Sequence, residues 1–341
     1  MKKIALPFII IMLMTSSCEK ILIPSTDNSP KTVFDYLWQV LDNQYAFFDI
    51  KGVDWDSIYN IYEPRITNNM NDDQLFDVLA RMLAELHDGH TNLFATYNTS
   101  QDPYLVELQY SQMNIDSRLL VLNYLTPDIQ MTGGFRHNAL RDGKIAYLYY
   151  PSFSNSASYS YLNYLLNNRY KDAEGLILDI RQNGGGNISN EWNILRILPN
   201  NNQLLYETQI KNGPAHDDFT PWQQVYAPAT YDSLVWSKPM ALLTDRGSYS
   251  ASSFFALCCK AYANVVQIGD TTLGGLGLPN GGELPNGWHY RFSLTRTLAP
   301  NGTNWENGVP PDIYVKLDAN SIANGIDNVI ERACEWILSQ Q

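Results

Sequence analysis

The stretch Gly175-Leu-Ile-Leu-Asp-Ile-Arg-Gln-Asn-Gly-Gly-Gly-Asn187 decides the fold. Its first half is a short apolar run ending in an aspartate, the pattern of a strand buried on both faces. Its second half places three consecutive glycines ahead of a helical pattern that begins near Ser189. Glycines at such a junction permit positive φ and let backbone N–H groups face a ligand at a helix N-terminus. Outward from this unit, Lys144–Tyr150 reads as a strand, Ser158–Leu166 as a helix, Pro239–Thr244 as a strand, Ala251–Ala263 as a helix and Val265–Gly269 as a strand. Strands alternating with helices imply an α/β core with a largely parallel sheet. Further towards the N-terminus, Leu105–Leu108 and Leu119–Leu122 read as additional strands. Before them Phe34, Leu37, Trp38, Leu41 and Tyr45 recur at helical spacing. Asp54-Trp55-Asp56 opens a second helix. Asn71-Asp72-Asp73 caps a third, which carries Leu75, Phe76, Val78, Leu79, Met82 and Leu83 and stops near His87-Asp88-Gly89-His90. The expected organisation is a small helical domain over residues 32–95, a short strand-rich linker over 96–143 and the α/β domain over 144–341.

The 341 residues are 45% hydrophobic and 12% aromatic, which supplies a sizeable core and excludes a wholly disordered chain. The formal net charge of -12 repels phosphate backbones and argues against nucleic acid as a partner. Residues 1–17 carry the marks of an export signal. Lys2 and Lys3 form a basic start, and Ala5–Met14 is an apolar run too short to span a bilayer. Thr15-Ser16-Ser17-Cys18 follows, and this resembles a bacterial lipoprotein signal, cleaved before Cys18 and lipidated on its thiol. Residues 18–31, with Pro24 and Pro30, read as a tether. The expectation is an exported lipoprotein of a bacterial cell envelope, periplasmic or at the cell surface, held at the membrane through Cys18 without spanning it. Plain secretion with an incidental Cys18 is the alternative. Cys258, Cys259 and Cys334 are left, an odd number that argues against a disulfide framework, and no Cys/His spacing suggests zinc.

Three segments hold candidate chemistry: His90 just past a helix end, the glycine turn Asn183–Asn187, and Ser248-Tyr249-Ser250-Ala251-Ser252-Ser253 at a second strand-to-helix junction. Taken singly, each has a plainer reading: a capping histidine, tight packing or a phosphate cradle, and an N-cap serine. Together in one α/β domain they are the parts that acyl transfer needs, a hydroxyl, a base and free N–H donors. Gly247-Ser-Tyr-Ser-Ala251 lacks the second glycine of the Gly-x-Ser-x-Gly elbow, which disfavours an α/β-hydrolase. No lysine follows the glycine turn, which disfavours a phosphate-binding loop.

Five blocks then resemble the serine peptidases that include the C-terminal processing proteases and the tricorn core protease. They are Ala84–Leu93, Gly175–Gly186, Leu243–Ser253, Ile268–Gly275 and Glu306-Asn-Gly-Val-Pro-Pro-Asp312. The resemblance implies a Clp-protease/crotonase-like α/β core behind a helical N-terminal domain. It also implies hydrolysis of peptide bonds in exported proteins or peptides, without metal or cofactor. In the processing proteases a lysine activates the serine. Here that place holds Gly275, and Lys260 does not match it. In the tricorn-like version a histidine is the base, matched by His90, and a glutamate supports it, matched by Glu306. Tricorn-like members often have a serine beside the histidine, whereas the neighbours here are Gly89 and Thr91. The family pattern selects Ser250 as nucleophile among Ser248, Ser250, Ser252 and Ser253. It gives the oxyanion donors to the N–H groups of Ala251 and Gly185, and sets His87 aside as a rival base. A complete peptide-binding PDZ domain does not fit between Leu93 and Lys144. Two alternatives to a peptidase are a non-catalytic peptide- or ligand-binding lipoprotein on the same fold and a glycan-binding accessory protein.

Overall fold

The structure, a computed structural model, describes residues 27–125, 129–231 and 233–340. The export signal, Cys18 and most of the expected tether lie outside the described residues. The first helix, Pro30–Gln44, begins inside the expected tether, with Ser29 as N-cap and Pro30 in the first turn. Helix Trp55–Tyr62 is capped by Asp54. Helix Asp72–Ala84 has a reciprocal capping box between Asn71 and Gln74.

The central sheet runs in the order Ile313–Tyr314, Val265–Gly269, Met240–Thr244, Gly175–Asp179, Ile145–Tyr149, Phe135–Leu140 and Gln130–Thr132. The first five strands are parallel, and the last two join antiparallel. Ile177 pairs with Tyr147 on one side and Ala241 on the other. Period-two alternation sends Leu176 and Leu178 to one face, packed with helices Ile188–Leu195 and Ala251–Cys259. Ile177, Leu243 and Ile268 go to the other face, against Val329, Ala333 and Ile337 of helix Asn328–Leu338. Gly175 opens its strand because a Cβ there would stand 2.2 Å from the Ile337 side chain. All-round burial of Ala251–Cys259 matches its position inside this layer, and Cys258, Cys259 and Cys334 are free and buried.

The helical N-terminal unit does not close its core alone. Its cluster includes Leu284, Trp288 and Phe292, from a hairpin of Pro279–Glu283 and His289–Ser293 inserted late in the chain. That hairpin pairs with strand Asn92–Ala95, matching Asn92 with Arg291 and Leu93 with Tyr290. The segment just after His90 is thereby fixed to the α/β core.

Between the two units the structure corrects the sequence reading. Leu105–Leu108 lies in helix Pro103–Ser111, not in a strand: Asp102 caps it and Pro103 occupies its first turn, a start signal stronger than the local apolar run. Leu119–Leu122 is likewise helical, capped by Asp116 and continuing as a wider turn over Leu120–Tyr124. The strands of this region are Gln130–Thr132 and Phe135–Leu140, a hairpin that extends the main sheet. Helix Ala251–Cys259 also ends before the expected Ala263.

Candidate active site

The nucleophile candidate stands where strand Met240–Thr244 passes through a short loop into helix Ala251–Cys259. Asp245 builds that loop: its carboxylate accepts the N–H of Gly247 at 2.9 Å and the N–H of Gln182 at 2.8 Å, tying the two strand ends together. Tyr249 N–H bonds the Asn183 carbonyl at 3.0 Å, and Ser250 N–H bonds the Gly274 carbonyl at 3.0 Å. Held from both sides, Ser250 takes φ 57° and ψ -121°. That is strained backbone for a residue with a Cβ, and such strain concentrates at active sites. The Ser250 side chain makes no capping bond to its own helix. Its Oγ lies 2.9 Å from Nε2 of His90.

The other three serines are committed elsewhere. Ser248 Oγ donates to the Ile180 carbonyl at 2.8 Å, Ser252 Oγ to the Asn183 carbonyl at 2.7 Å, and Ser253 Oγ reaches Thr272 Oγ1 at 2.9 Å. All three are buried.

His90 reaches Ser250 from the helical unit. The chain leaves helix Asp72–Ala84, turns at His87 with φ 45°, and Asp88 then accepts the His90 N–H at 2.9 Å and the Thr91 hydroxyl at 3.1 Å. This Asx turn aims the imidazole. His90 is buried, and burial pushes its pKa below the usual histidine value; the Asp88 charge works against this, and Arg291 works with it. Burial therefore favours the neutral imidazole, the form that accepts a proton. The Gly277 carbonyl favours the charged ring, yet Nδ1 itself has no hydrogen-bond partner.

Glu306 was expected to orient that ring, and it does not bond it. One of its oxygens accepts the Leu276 N–H at 2.7 Å, and the other lies 3.6 Å from Lys51 Nζ. The physical reason is packing, which supplies the Leu276 N–H and Lys51 as its donors; burial pushes the carboxyl up to about 8, and Lys51 only partly offsets this. Lys51 also donates to the His87 carbonyl at 3.0 Å and Asn307 Oδ1 at 2.8 Å. Gly185, the expected second oxyanion donor, spends its N–H on Asn183 Oδ1 at 3.0 Å. Its close fit is nonetheless evident, because a Cβ at Gly185 would stand 2.9 Å from Ser250 Cβ and 3.0 Å from Ala251 N. Ala251, as the first helical residue, has an N–H with no intrahelical acceptor. His87 is turned away to Asp102, at 3.0 Å. Lys260 caps the far end of the Ser250 helix and pairs with Asp312 at 2.6 Å.

Sequence reasoning missed three neighbours. Tyr249 fills the space beside Gly89 and Gly275: a Cβ on either would meet the phenol oxygen at 2.7 Å. Its ring lies 5.0 Å from the His90 ring. Lys51 and Arg291 also face the site, from elements whose apposition no local pattern signals. The chemistry available is a strained hydroxyl, a neutral imidazole on it, and a helix N-terminus behind it.

The model of peptidase family S41 matches residues 144–315, and that of the tricorn protease C1 domain matches residues 26–84. The carboxy-terminal processing protease CtpB of Bacillus subtilis is 26% identical over 174 residues, which is 50% of this chain and 34% of that protein. The chain thus spans about a third of the length of this curated relative. A crystal structure of a candidate peptidase from Parabacteroides merdae superposes with a TM-score of 0.86 at 37% identity, covering 92% of this chain and 98% of that one. The photosystem II D1 C-terminal processing protease shares the fold, with a TM-score of 0.54 at 16% identity over 89% of this chain and 97% of that one. With half the chain matched by the family model and the helical unit matched by the tricorn module, this chain belongs to peptidase family S41, a family of serine-type peptidases.

Proposed function

We propose that this protein hydrolyses peptide bonds of exported proteins or peptides, with Ser250 as nucleophile and His90 as general base. The observation that carries this reading is the 2.9 Å approach of His90 Nε2 to Ser250 Oγ at a strained helix N-terminus. Ser250 Oγ attacks the scissile carbonyl while its proton passes to Nε2, and His90 returns that proton to the leaving amine. The Ala251 N–H takes the developing oxyanion. A second donor comes from the glycine turn once substrate draws the Gly185 N–H away from Asn183. Glu306 acts on His90 at one remove: by gripping the Leu276 N–H it fixes the segment whose Gly277 carbonyl faces the imidazole. The enzyme is anchored in a bacterial cell envelope through a lipid on Cys18, with the residues that follow as the tether.

A fluorophosphonate probe tests the mechanism. Wild type is labelled, Ser250→Ala is not, and His90→Ala is labelled at least about 10³-fold more slowly. Labelling that persists in Ser250→Ala, or a wild type that is inert both to the probe and to unfolded protein substrates, overturns the reading. The anchor is tested separately by Cys18→Ser, which should leave the membrane fraction or accumulate as precursor.

A further inference from the structure

Next to the loop that carries His90 lies a cavity of about 310 Å³. Gly89, Gly184 and Tyr249 line it, and the Tyr249 ring lies 5.0 Å from the His90 ring, which sets the cavity next to the proposed catalytic pair. Its apolar wall is Phe94, Leu105 and Leu273. Its charge is Arg291, on strand His289–Ser293. The guanidinium is held in place by neutral acceptors: Nε donates to the His90 carbonyl at 3.3 Å, and one Nη donates to Asn92 Oδ1. Phe94 lies beneath it, 5.7 Å from its centre. No acidic group pairs with Arg291 among the described residues, in a chain where Asp and Glu outnumber Lys and Arg by 35 to 23. Asp102 also borders the cavity, but its carboxylate is 5% exposed and is taken by His87 Nδ1 at 3.0 Å and the Tyr104 N–H at 2.9 Å. Among the lining residues Arg291 is the cation, preset in orientation and set over an aromatic ring, as a planar fork for a carboxylate should be, while Asp102 is an anion whose oxygens are already occupied.

We propose that this pocket recognises a carboxylate of the substrate, carried by an Asp or Glu side chain next to the scissile bond. The aliphatic wall takes the methylenes of that side chain, and Arg291 takes its oxygens. This inference rests on the peptidase reading, because it assumes a peptide lying across Ser250. It makes Arg291 a specificity residue, set to favour acidic peptides although the whole protein is acidic.

The test uses the Ser250→Ala chain, which binds peptide without turnover. Fluorescein-labelled peptides are compared in pairs, Asp against Asn and Glu against Gln, each with a free and an amidated C-terminus, by fluorescence anisotropy. The acidic member is expected to bind about 10- to 100-fold more tightly at low salt, with the ratio shrinking as salt is raised. Arg291→Gln in the same background brings the ratio close to one. Arg291→Lys keeps part of it, and this excludes a mere fold defect. Equal affinities within the pairs, or an unchanged ratio in Arg291→Gln, overturn the proposal. A preference that disappears on C-terminal amidation assigns the carboxylate to the chain end and overturns the side-chain source. Hydrolysis by wild type is measured alongside: an acidic preference without cleavage would sink the peptidase reading alone.

Discussion

The backbone of Ser250 offers a quantitative check on the site. At φ 57° and ψ -121° a side chain is strained, and nothing in the local chain repays it: Ser250 Oγ makes no capping bond. Strain of this kind costs roughly 1–3 kcal/mol. Ser250→Ala and Ser250→Gly both delete the hydroxyl and its contact with His90, so they differ only at Cβ. Glycine relieves the strain but raises the entropy of the unfolded chain, by about 0.4–1 kcal/mol. Glycine is also the better N-cap of the two. Ser250→Gly should therefore be more stable than Ser250→Ala by about 0.5–2 kcal/mol, a rise of a few degrees in Tm for a chain of this size. Both should lose about 10⁵-fold or more in kcat/KM. Urea unfolding with matched m-values reads the stability, and a fluorogenic peptide reads the activity. Equal or reversed stability would refute the claim that the turn stores strain at the nucleophile. A Ser250→Gly enzyme with substantial turnover would refute the assignment of Ser250 itself.

Further outcomes concern the other serines and Lys260, the titrating groups of the site and the ion pair under the last helix. Ser252→Ala should keep catalysis while losing about 1–2 kcal/mol, because its hydroxyl serves a buried carbonyl at 2.7 Å; Lys260→Ala should stay active, and an inactive Lys260→Ala beside an active His90→Ala would restore a Ser–Lys mechanism. Burial lowers the His90 pKa, so kcat/KM should rise with pH through an ionisation below 6.5 and then level off, and a midpoint above 7 would contradict the neutral buried imidazole. The same burial raises Glu306 to about 8 from 4.5, so the folded state binds the extra proton: its contribution is full below pH 4.5 and is lost as pH rises through about 8, and Glu306→Gln should flatten the fall of Tm between about pH 5 and 8. Arg181 is fully buried between Asp179 and Asp327, at 2.6 and 3.0 Å, and Arg181→Met should cost about 3–5 kcal/mol in urea unfolding by stranding two carboxylates under the last helix.

The parts of this protein that the sequence determined by itself are those set by local physics. The strand-turn-helix unit at Gly175–Leu195 and the capped helices at Asn71 and Asp54 follow from periodicity, glycine freedom and side-chain caps, all acting within a few residues. The juxtaposition of residues 90 and 250 was accessible only through the resemblance, since a sequence separation of 160 carries no distance information. Where a cap competed with a short apolar run, at Pro103–Ser111, the cap won, because one satisfied helix terminus outweighs a pattern of four residues. Tertiary structure alone decided three things. It turned Glu306 from the imidazole to Leu276 and Lys51, since a buried carboxyl goes to the donors that packing supplies. It placed the Tyr249 ring against Gly89 and Gly275, where a Cβ on either would meet the phenol oxygen. And it brought Arg291 to the active-site cleft by pairing a late hairpin with Asn92–Ala95, a contact across about 200 residues that only sheet register can specify.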